Sequence, residues 1–360
     1  MRYIKSPLSL FVLMVVSTVI SLRASDAVAL EQLVNSARSE GKLHIWYSTP
    51  ADTKTWDALL KAFEARFKLK VDLSRTFVYS TDQAPRLMAE GRAGVLRADI
   101  AQISFDKTYL DLQKALGLFE VTDWVQLFGN VWPGIKEVME FEPKPIRGYG
   151  LRLQDFIRVI VYNKNMLSEG DVPDTVEAFT DPKWSGKIVF GSPNLDPLRR
   201  LAIHPDWTLQ KAVDVGKAML KNKPLMARNS VAATDMVARG EGAVFLHSSF
   251  ASYELRKEEG APIAFKPFSD FVIVHGNALA PLKTAPNPNM AKLFVAWYAM
   301  EGAQISEKME NRAAVVHPGT RTKDIFDKIR KGRKLIMPVS IEDIEREAEL
   351  NRALRRLVLR

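Results

Sequence analysis

Small hydroxyl and amide side chains recur in this 360-residue sequence where short apolar runs give way to helical spacing. They are Ser48 and Thr49, Ser80 and Thr81, Ser104, Asn229 and Ser230, and Ser248 and Ser249. A hydroxyl at such a junction donates to an anion, and the first-turn N–H groups of the helix behind it add a positive field. The chemistry favoured is non-covalent capture of a carboxylate, phosphate or phosphonate. The same residue types serve as ordinary N-caps, which satisfy first-turn amides and touch no ligand. Arginines discriminate more sharply, because a guanidinium grips a carboxylate or phosphate through two hydrogen bonds. Arg152, Arg199 and Arg228 lie near these junctions, with a solvated or salt-bridged arginine as the alternative for each. Arg152 joins the hydroxyl and amide residues as an expected ligand contact. Asp155 and Asp196 are available to a cationic ligand instead. Trp46, Tyr47, Phe105, Phe156 and Phe250 are available to an organic cation or to the core.

Other chemistries find less support. The chain has no cysteine, which excludes disulfides, thiolate metal sites, a cysteine nucleophile and a lipid-modified N-terminal cysteine. Its five histidines, His44, His204, His247, His275 and His317, form no close ligand pair, so no metal site is expected. There is no nucleophile elbow, no Gly-rich phosphate loop with Lys, and no defensible pair of catalytic carboxylates. These motifs name no catalytic residues and no cofactor, although a triad is assembled in space and carries no fixed sequence spacing. The formal charge is +9, yet Lys and Arg are scattered rather than gathered in an aromatic-interleaved stripe, which argues against nucleic acid. A basic balance raises the local concentration of anionic ligands.

The elements that must position these residues alternate. Met1-Arg2-Tyr3-Ile4-Lys5, the apolar stretch Leu8 to Leu22, and Ala27-Val28-Ala29 read as a secretory leader over residues 1–29, so the mature chain is expected to begin near Leu30. The remaining length suits two domains. Lys42 to Tyr47 reads as a strand, and Trp56, Leu59, Leu60, Phe63 and Phe67 as one face of a helix. Val71 and Leu73, Ala84 to Met88, Ile100 to Ile103, and Tyr109 to Leu116 repeat the pattern. Such alternation predicts a mostly parallel sheet with helices on its faces, and ligands collect beyond the carboxyl ends of its strands. After Pro143, Pro145, Gly148 and Gly150, the run Phe156 to Tyr162 predicts a crossing strand. Ile188-Val189-Phe190, helices around Leu209 to Leu220 and Ala232 to Arg239, and a strand at Ala243 to Leu246 restart the pattern. Val272-Ile273-Val274 and Asn277 to Ala280, then a helix through Leu293 to Trp297, read as the return to the first domain. Ile341 to Leu357 predicts an amphipathic helix packed on the body.

Several ordered segments resemble one family. Gly41 to Thr49, Ala62-Phe63-Glu64-Ala65-Arg66-Phe67, Val161-Tyr162-Asn163-Lys164, Asp181-Pro182-Lys183-Trp184-Ser185-Gly186-Lys187-Ile188, Gly240 to Val244, Asn287-Pro288 with Ala291 to Val295, and Glu301 to Gln304 carry the likeness. They are similar to bacterial extracellular solute-binding proteins of ATP-driven importers, the group holding ferric-ion, thiamine, phosphonate and polyamine receptors. The resemblance implies an α/β, two-lobed, type II periplasmic-binding-protein-like fold, each lobe a mostly parallel sheet flanked by helices, with the ligand cleft between lobes. Residues 30–152 and 272–325 would form the first lobe, 153–271 the second, and 326–360 a helical tail. It also implies a non-catalytic periplasmic receptor, monomeric and without a lipid anchor, that delivers a small-molecule ligand to an inner-membrane ABC permease. The family's ferric receptors place adjacent tyrosines where Ser248-Ser249-Phe250 stands here, and a histidine where Pro50 and Ala51 stand. That departure favours an organic or anionic solute over iron, leaving as alternatives a ferric receptor with other ligands or a bound anion, and a periplasmic enzyme on the same fold.

Overall fold

β-Branched and aromatic residues in short runs, separated by amphipathic stretches, give alternating strands and helices in the computed structural model. It describes residues 30–48, 52–78, 80–191 and 195–359. The expected leader and Thr49 lie outside the described residues. The first half contains α1 (30–40), β1 (Lys42–Tyr47), α2 (Thr53–Phe67), β2 (Asp72–Phe77), α3 (Ser80–Arg92), β3 (Ile100–Ser104), α4 (Lys107–Leu116), α5 (Trp124–Phe128) and α6 (Ile135–Phe141). A long strand, β4 (Leu151–Asn163), leads to β5 (Ile188–Phe190), α7 (Leu209–Lys221), β6 (Leu225–Met226), α8 (Ser230–Ala238), β7 (Val244–Ser249), α9 (Phe250–Glu258) and β8 (Ile263–Lys266). A second long strand, β9 (Phe271–Pro281), is followed by α10 (Pro288–Trp297), α11 (Ala303–Glu310), α12 (Arg321–Arg330), β10 (Lys334–Ile336) and α13 (Ile341–Val358).

The strands form one mixed sheet in the order β2-β1-β3-β9-β4-β7-β5-β6, with β10 beside β9 and β8 beside β4. Pairing is parallel at both ends, β1 with β2 and β3, and β5 with β6 and β7. The centre is antiparallel, where β9 pairs with β3 and β4, and β4 with β7. The expected parallel sheet is thus interrupted by two crossing strands, the segments read separately as Val272 to Val274 and Asn277 to Ala280 being one continuous β9. This is an α/β, two-lobed architecture. The parallel strands of each lobe point their carboxyl ends at a shared cleft, and β4 and β9 run between the lobes.

Apolar packing fills both lobes, and one cluster runs on from the first through β4 to Val189, Val237 and Phe245 of the second. In the first, Phe63 of α2 meets Phe67, Phe294 and Trp297 edge-on at 5.2 Å each, over Leu43, Ile45 and Ile100 of the sheet. Leu87 of α3 and Leu112 of α4 cover the opposite face with Trp46, Ala101 and Ile103. In the second, Ile160, Tyr162, Ile188 and Phe190 pack with Phe179, Trp184, Leu198, Leu201 and Met219. Leu350 and Leu354 of α13 belong to that cluster, because the helix repeats apolar residues at Ile344, Glu347, Leu350 and Leu354 along one buried stripe broken by a single carboxylate.

Where β4 and β9 cross, the chains approach too closely for a side chain. A Cβ on Gly276 would lie 2.1 Å from Asp155 Oδ1 and 2.2 Å from the Gln154 carbonyl oxygen. Gly276→Ala must therefore push the two strands apart. We expect it to lower the unfolding free energy by about 2–3 kcal/mol in urea titration, and an unchanged midpoint would show that the ladder yields freely.

Candidate functional site

Strand register decides which side chains share the cleft face. Cross-strand partners lie on one side of a sheet, and so do alternate residues along each strand. Ser104 is opposite Asn277, Gln154 opposite Asn277, Phe156 opposite His275, and Arg158 opposite Ser249. Gln102, Ser104, Asn277, His275, Gln154, Phe156 and Arg158 therefore form a polar strip across the centre of the sheet. It runs from the carboxyl end of β3 in the first lobe to that of β7 in the second. The Ser104 hydroxyl donates to Asn277 Oδ1 at 2.7 Å, and Gln102 Oε1 accepts the Ser48 amide at 3.0 Å.

Arg158 dominates the second-lobe end. Its side chain reaches the Ser230 hydroxyl and the His247 carbonyl oxygen, each at 3.2 Å, and His275 Nε2 at 3.0 Å. It also lies 5.3 Å from the ring centroid of Phe156. Every one of these partners is neutral, and no carboxylate lies within ion-pairing distance of Arg158 among the described residues. Burial pushes its guanidinium down to about 9, the nearby Arg200 and Arg199 acting in the same direction against Asp196. It remains charged at neutral pH. His247 and His275, parallel rings 6.4 Å apart, are both held well below the ordinary imidazole value, by burial first and then, among other charges, by Arg158 and Arg200. Both are neutral at pH 7, so the positive charge at this end is carried by arginine alone.

The cleft rim carries paired charges. After a cis Asp196-Pro197 bond, Arg199 Nε donates to Asp196 Oδ1 at 3.2 Å. Burial pushes Asp196 up, but Arg199, then His247 and Arg200, hold its carboxyl far below the usual range. Arg200 donates to Glu347 of α13 at 2.7 Å. Across the gap, Asp106 caps α4 by accepting the Thr108 amide at 2.9 Å. Burial raises the Asp106 carboxyl, opposed by its amide bonds and by Arg200 of the other lobe.

The structure separates the sequence-predicted residues. Ser104 and Ser230 lie in the strip or touch Arg158. Ser48 contributes its amide beside Gln102, and Ser80 and Thr81 open α3 at the same end of the first lobe. Asn229 caps α8, accepting the Ala232 amide at 2.9 Å. Ser249 caps α9, accepting the Ser252 amide at 3.1 Å. Ser248 is fully buried against Thr234 Oγ1 at 2.8 Å, on the face of β7 turned away from Arg158. Arg152 requires correction as a ligand arm. It is buried, paired with Glu142 at 3.0 Å and Asp155 at 3.1 Å, so its charge is spent inside the fold, as is that of Asp155. Arg199 is likewise engaged by Asp196, and Arg228 is exposed. Among the aromatics, Trp46 is buried in the first-lobe core and Phe250 packs on Tyr253 and Phe265, while Phe156 lies on the strip. Arg158, His275, Gln154, Gln102 and Asn277 were missed. The available signal was one arginine inside the otherwise apolar run Phe156 to Tyr162.

Residues 47–305 match the family of bacterial extracellular solute-binding proteins, and the chain belongs to that family. Solved structures agree on the fold. Iron-bound HitA from Pseudomonas aeruginosa is 21% identical with a TM-score of 0.67, covering 88% of this chain and 99% of its own. IdiA (FutA) from Trichodesmium, in complex with iron and citrate, is 20% identical with a TM-score of 0.66 over 88% and 99%. The spermidine/putrescine ABC transporter substrate-binding protein PotD from Streptococcus pneumoniae is 14% identical with a TM-score of 0.64 over 88% and 99%. The protein is thus a solute-binding protein by family, with the fold of the solved structures it resembles. Among the described residues no helix is long and apolar enough to cross a membrane.

The neutral imidazoles set a pH dependence. An unfolded histidine protonates near pH 6.5, whereas folded His247 and His275 stay neutral well below that value. Their contribution is fully present above pH 6.5 and is lost as pH falls, the unfolded chain binding protons first. Between pH 6.5 and 5 the unfolding free energy should fall, and His275→Gln should reduce the slope by about 1.4 kcal/mol per pH unit. Equal slopes in the two proteins would show that His275 protonates freely in the fold.

Proposed function

We propose that the protein captures a small organic solute by an anionic group held at Arg158, closes two lobes around it, and passes it unaltered to an inner-membrane permease. The observation that carries this reading is the chemistry of Arg158. A buried cation bonded only to neutral groups is costly unless an anion joins it, and the residues around it are built to hold it in place rather than to neutralise it. The lobes on this reading are residues 30–152 with 272–325, and 153–271, hinged on β4 and β9 and backed by the tail 326–360. The protein acts as a periplasmic monomer, exported by its leader and not lipid-anchored, with no catalytic step and no nucleic-acid partner. The contacts to the anion come from Arg158 and Ser230, with Ser48 and Ser104 from the first lobe and Asn229 and Ser249 at the helix starts of the second; Thr49, Ser80 and Thr81 are proposed with them from the sequence.

Ferric iron is the weaker reading despite the ligands carried by two of the structural neighbours. Iron(III) needs several anionic oxygens, and the strip presents amides, a hydroxyl, an imidazole, a phenyl ring and a guanidinium. A positive, neutral-lined surface repels a trivalent cation.

The test is Arg158→Met, which keeps the length of the side chain and removes its charge. Because the arginine has no carboxylate partner, we expect the unfolding free energy to change by less than about 1 kcal/mol or to rise. The wild type should gain thermal stability from carboxylates and phosphonates, and the variant should not. A variant that is badly destabilised, or that still gains stability from these anions, would make Arg158 a structural residue and remove the basis of this reading.

A further inference from the structure

All but one of the side chains on the polar strip can hydrogen-bond, and the exception is the phenyl ring of Phe156. That ring is half-buried and, among the described residues, belongs to none of the apolar clusters that fill the lobes. Its neighbours are instead the groups of the anion site. It lies 5.1 Å from the ring of His275, its cross-strand partner, at a tilt of 35°, and 5.3 Å from the guanidinium carbon of Arg158. A lone apolar side chain at a protein surface is unremarkable, but this one is held on the cleft face by strand register, beside a buried cation. Core packing does not account for it. The apolar area it leaves open becomes favourable only when something in the cleft covers it.

Charge decides what kind of group can do so. An organic cation would meet the guanidinium that already lies over the ring, so this aromatic face is closed to the positive solutes such faces otherwise attract. An acid held by Arg158 through charge-assisted bonds of about 2.7–2.9 Å has its carbon next to the guanidinium. A flat ring carried on that carbon reaches the ~4.5–7 Å from Phe156 at which aromatic pairs interact. We propose that Phe156 is a specificity-determining residue of the ligand site, and that the solute is an aromatic monocarboxylate with its acid on Arg158 and its ring against that of Phe156. This rests on Arg158 holding the acid.

Isothermal titration with benzoate, cyclohexanecarboxylate and acetate, all anionic at neutral pH, separates the ring from the acid. The wild-type protein should bind benzoate about fivefold more tightly than cyclohexanecarboxylate, the factor an aromatic pair adds beyond its buried area, and acetate most weakly. Phe156→Leu, which keeps an apolar side chain without a π face, should bring the two cyclic acids to about equal affinity. Phe156→Tyr should keep the preference for benzoate, and Arg158→Met should abolish binding of all three acids. Because Phe156 lies outside the apolar clusters, Phe156→Leu should fold as the wild type does; failure to fold would make the ring a packing residue and sink the proposal. Equal wild-type affinities for the two cyclic acids, or a preference for benzoate that survives in Phe156→Leu, would overturn the aromatic ligand, and acid binding that still depends on Arg158 would then leave the anion site standing. Failure of every acid to bind the wild-type protein at millimolar concentration would overturn both.

Discussion

Because β4 and β9 pair antiparallel from Leu151 opposite Leu279 to Arg158 opposite Ile273, each strand begins in one lobe and ends in the other. The strip of cleft side chains exists only in this register. A shift of one residue would turn Gln154, Phe156 and Arg158 away from the gap and bring Asp155 and Ile157 into it. The register is pinned from behind. Asp155 accepts the Val315 amide at 3.0 Å and donates its own amide to the Ala313 carbonyl oxygen at 3.1 Å, and His317 Nε2 meets the Arg152 carbonyl oxygen at 2.8 Å. The segment after α11 thus fastens the crossing strands on the side opposite the site. Gly276 completes the device, since only a residue without Cβ lets Asp155 sit where these bonds require it.

The same strand holds two buried arginines with opposite electrostatic arrangements, one paired with carboxylates and one bonded to neutral groups. Arg152 meets two carboxylates, Glu142 and Asp155, and forms a closed ionic cluster that leaves nothing for a ligand. Arg158 meets a hydroxyl, a carbonyl and an imidazole. Neutral partners fix the direction of a guanidinium without cancelling its charge, which is the condition a pre-organised anion site needs. The two imidazoles contribute by staying uncharged. Protonating either would add repulsion beside Arg158, and burial prevents this at neutral pH.

Much of this architecture was legible in the residues and some was not, for physical reasons. The strand Lys42–Tyr47 and the helix carrying Trp56, Leu59, Phe63 and Phe67 follow from local periodicity, which does not depend on distant contacts. The antiparallel centre of the sheet was not legible, since strand direction is a property of pairing between segments distant in the chain, such as Ser104 with Asn277 and Arg158 with Ser249. The hydroxyl-rich junctions were found, but their two roles look alike in sequence. Asn229 and Ser249 cap helices, while Ser230, one residue further along, turns to Arg158. Arg152 was singled out and Arg158 overlooked because the sequence does not reveal where carboxylates fall. Glu142 lies ten residues from Arg152, and nothing comparable reaches Arg158.

Charge accounting along the second-lobe side of the cleft narrows what the site can hold. Arg199 is matched by Asp196 and Arg200 by Glu347, and His247 and His275 are neutral. One positive charge, that of Arg158, is left without a counterion among these groups. A single negative charge balances it. A second on the same group would face Asp196, whose charge is retained because Arg199 and Arg200 outweigh its burial. On the reading proposed for Arg158, three arginines against the two carboxylates of this side, Asp196 and Glu347, suit a monoanionic head group better than a dianionic one.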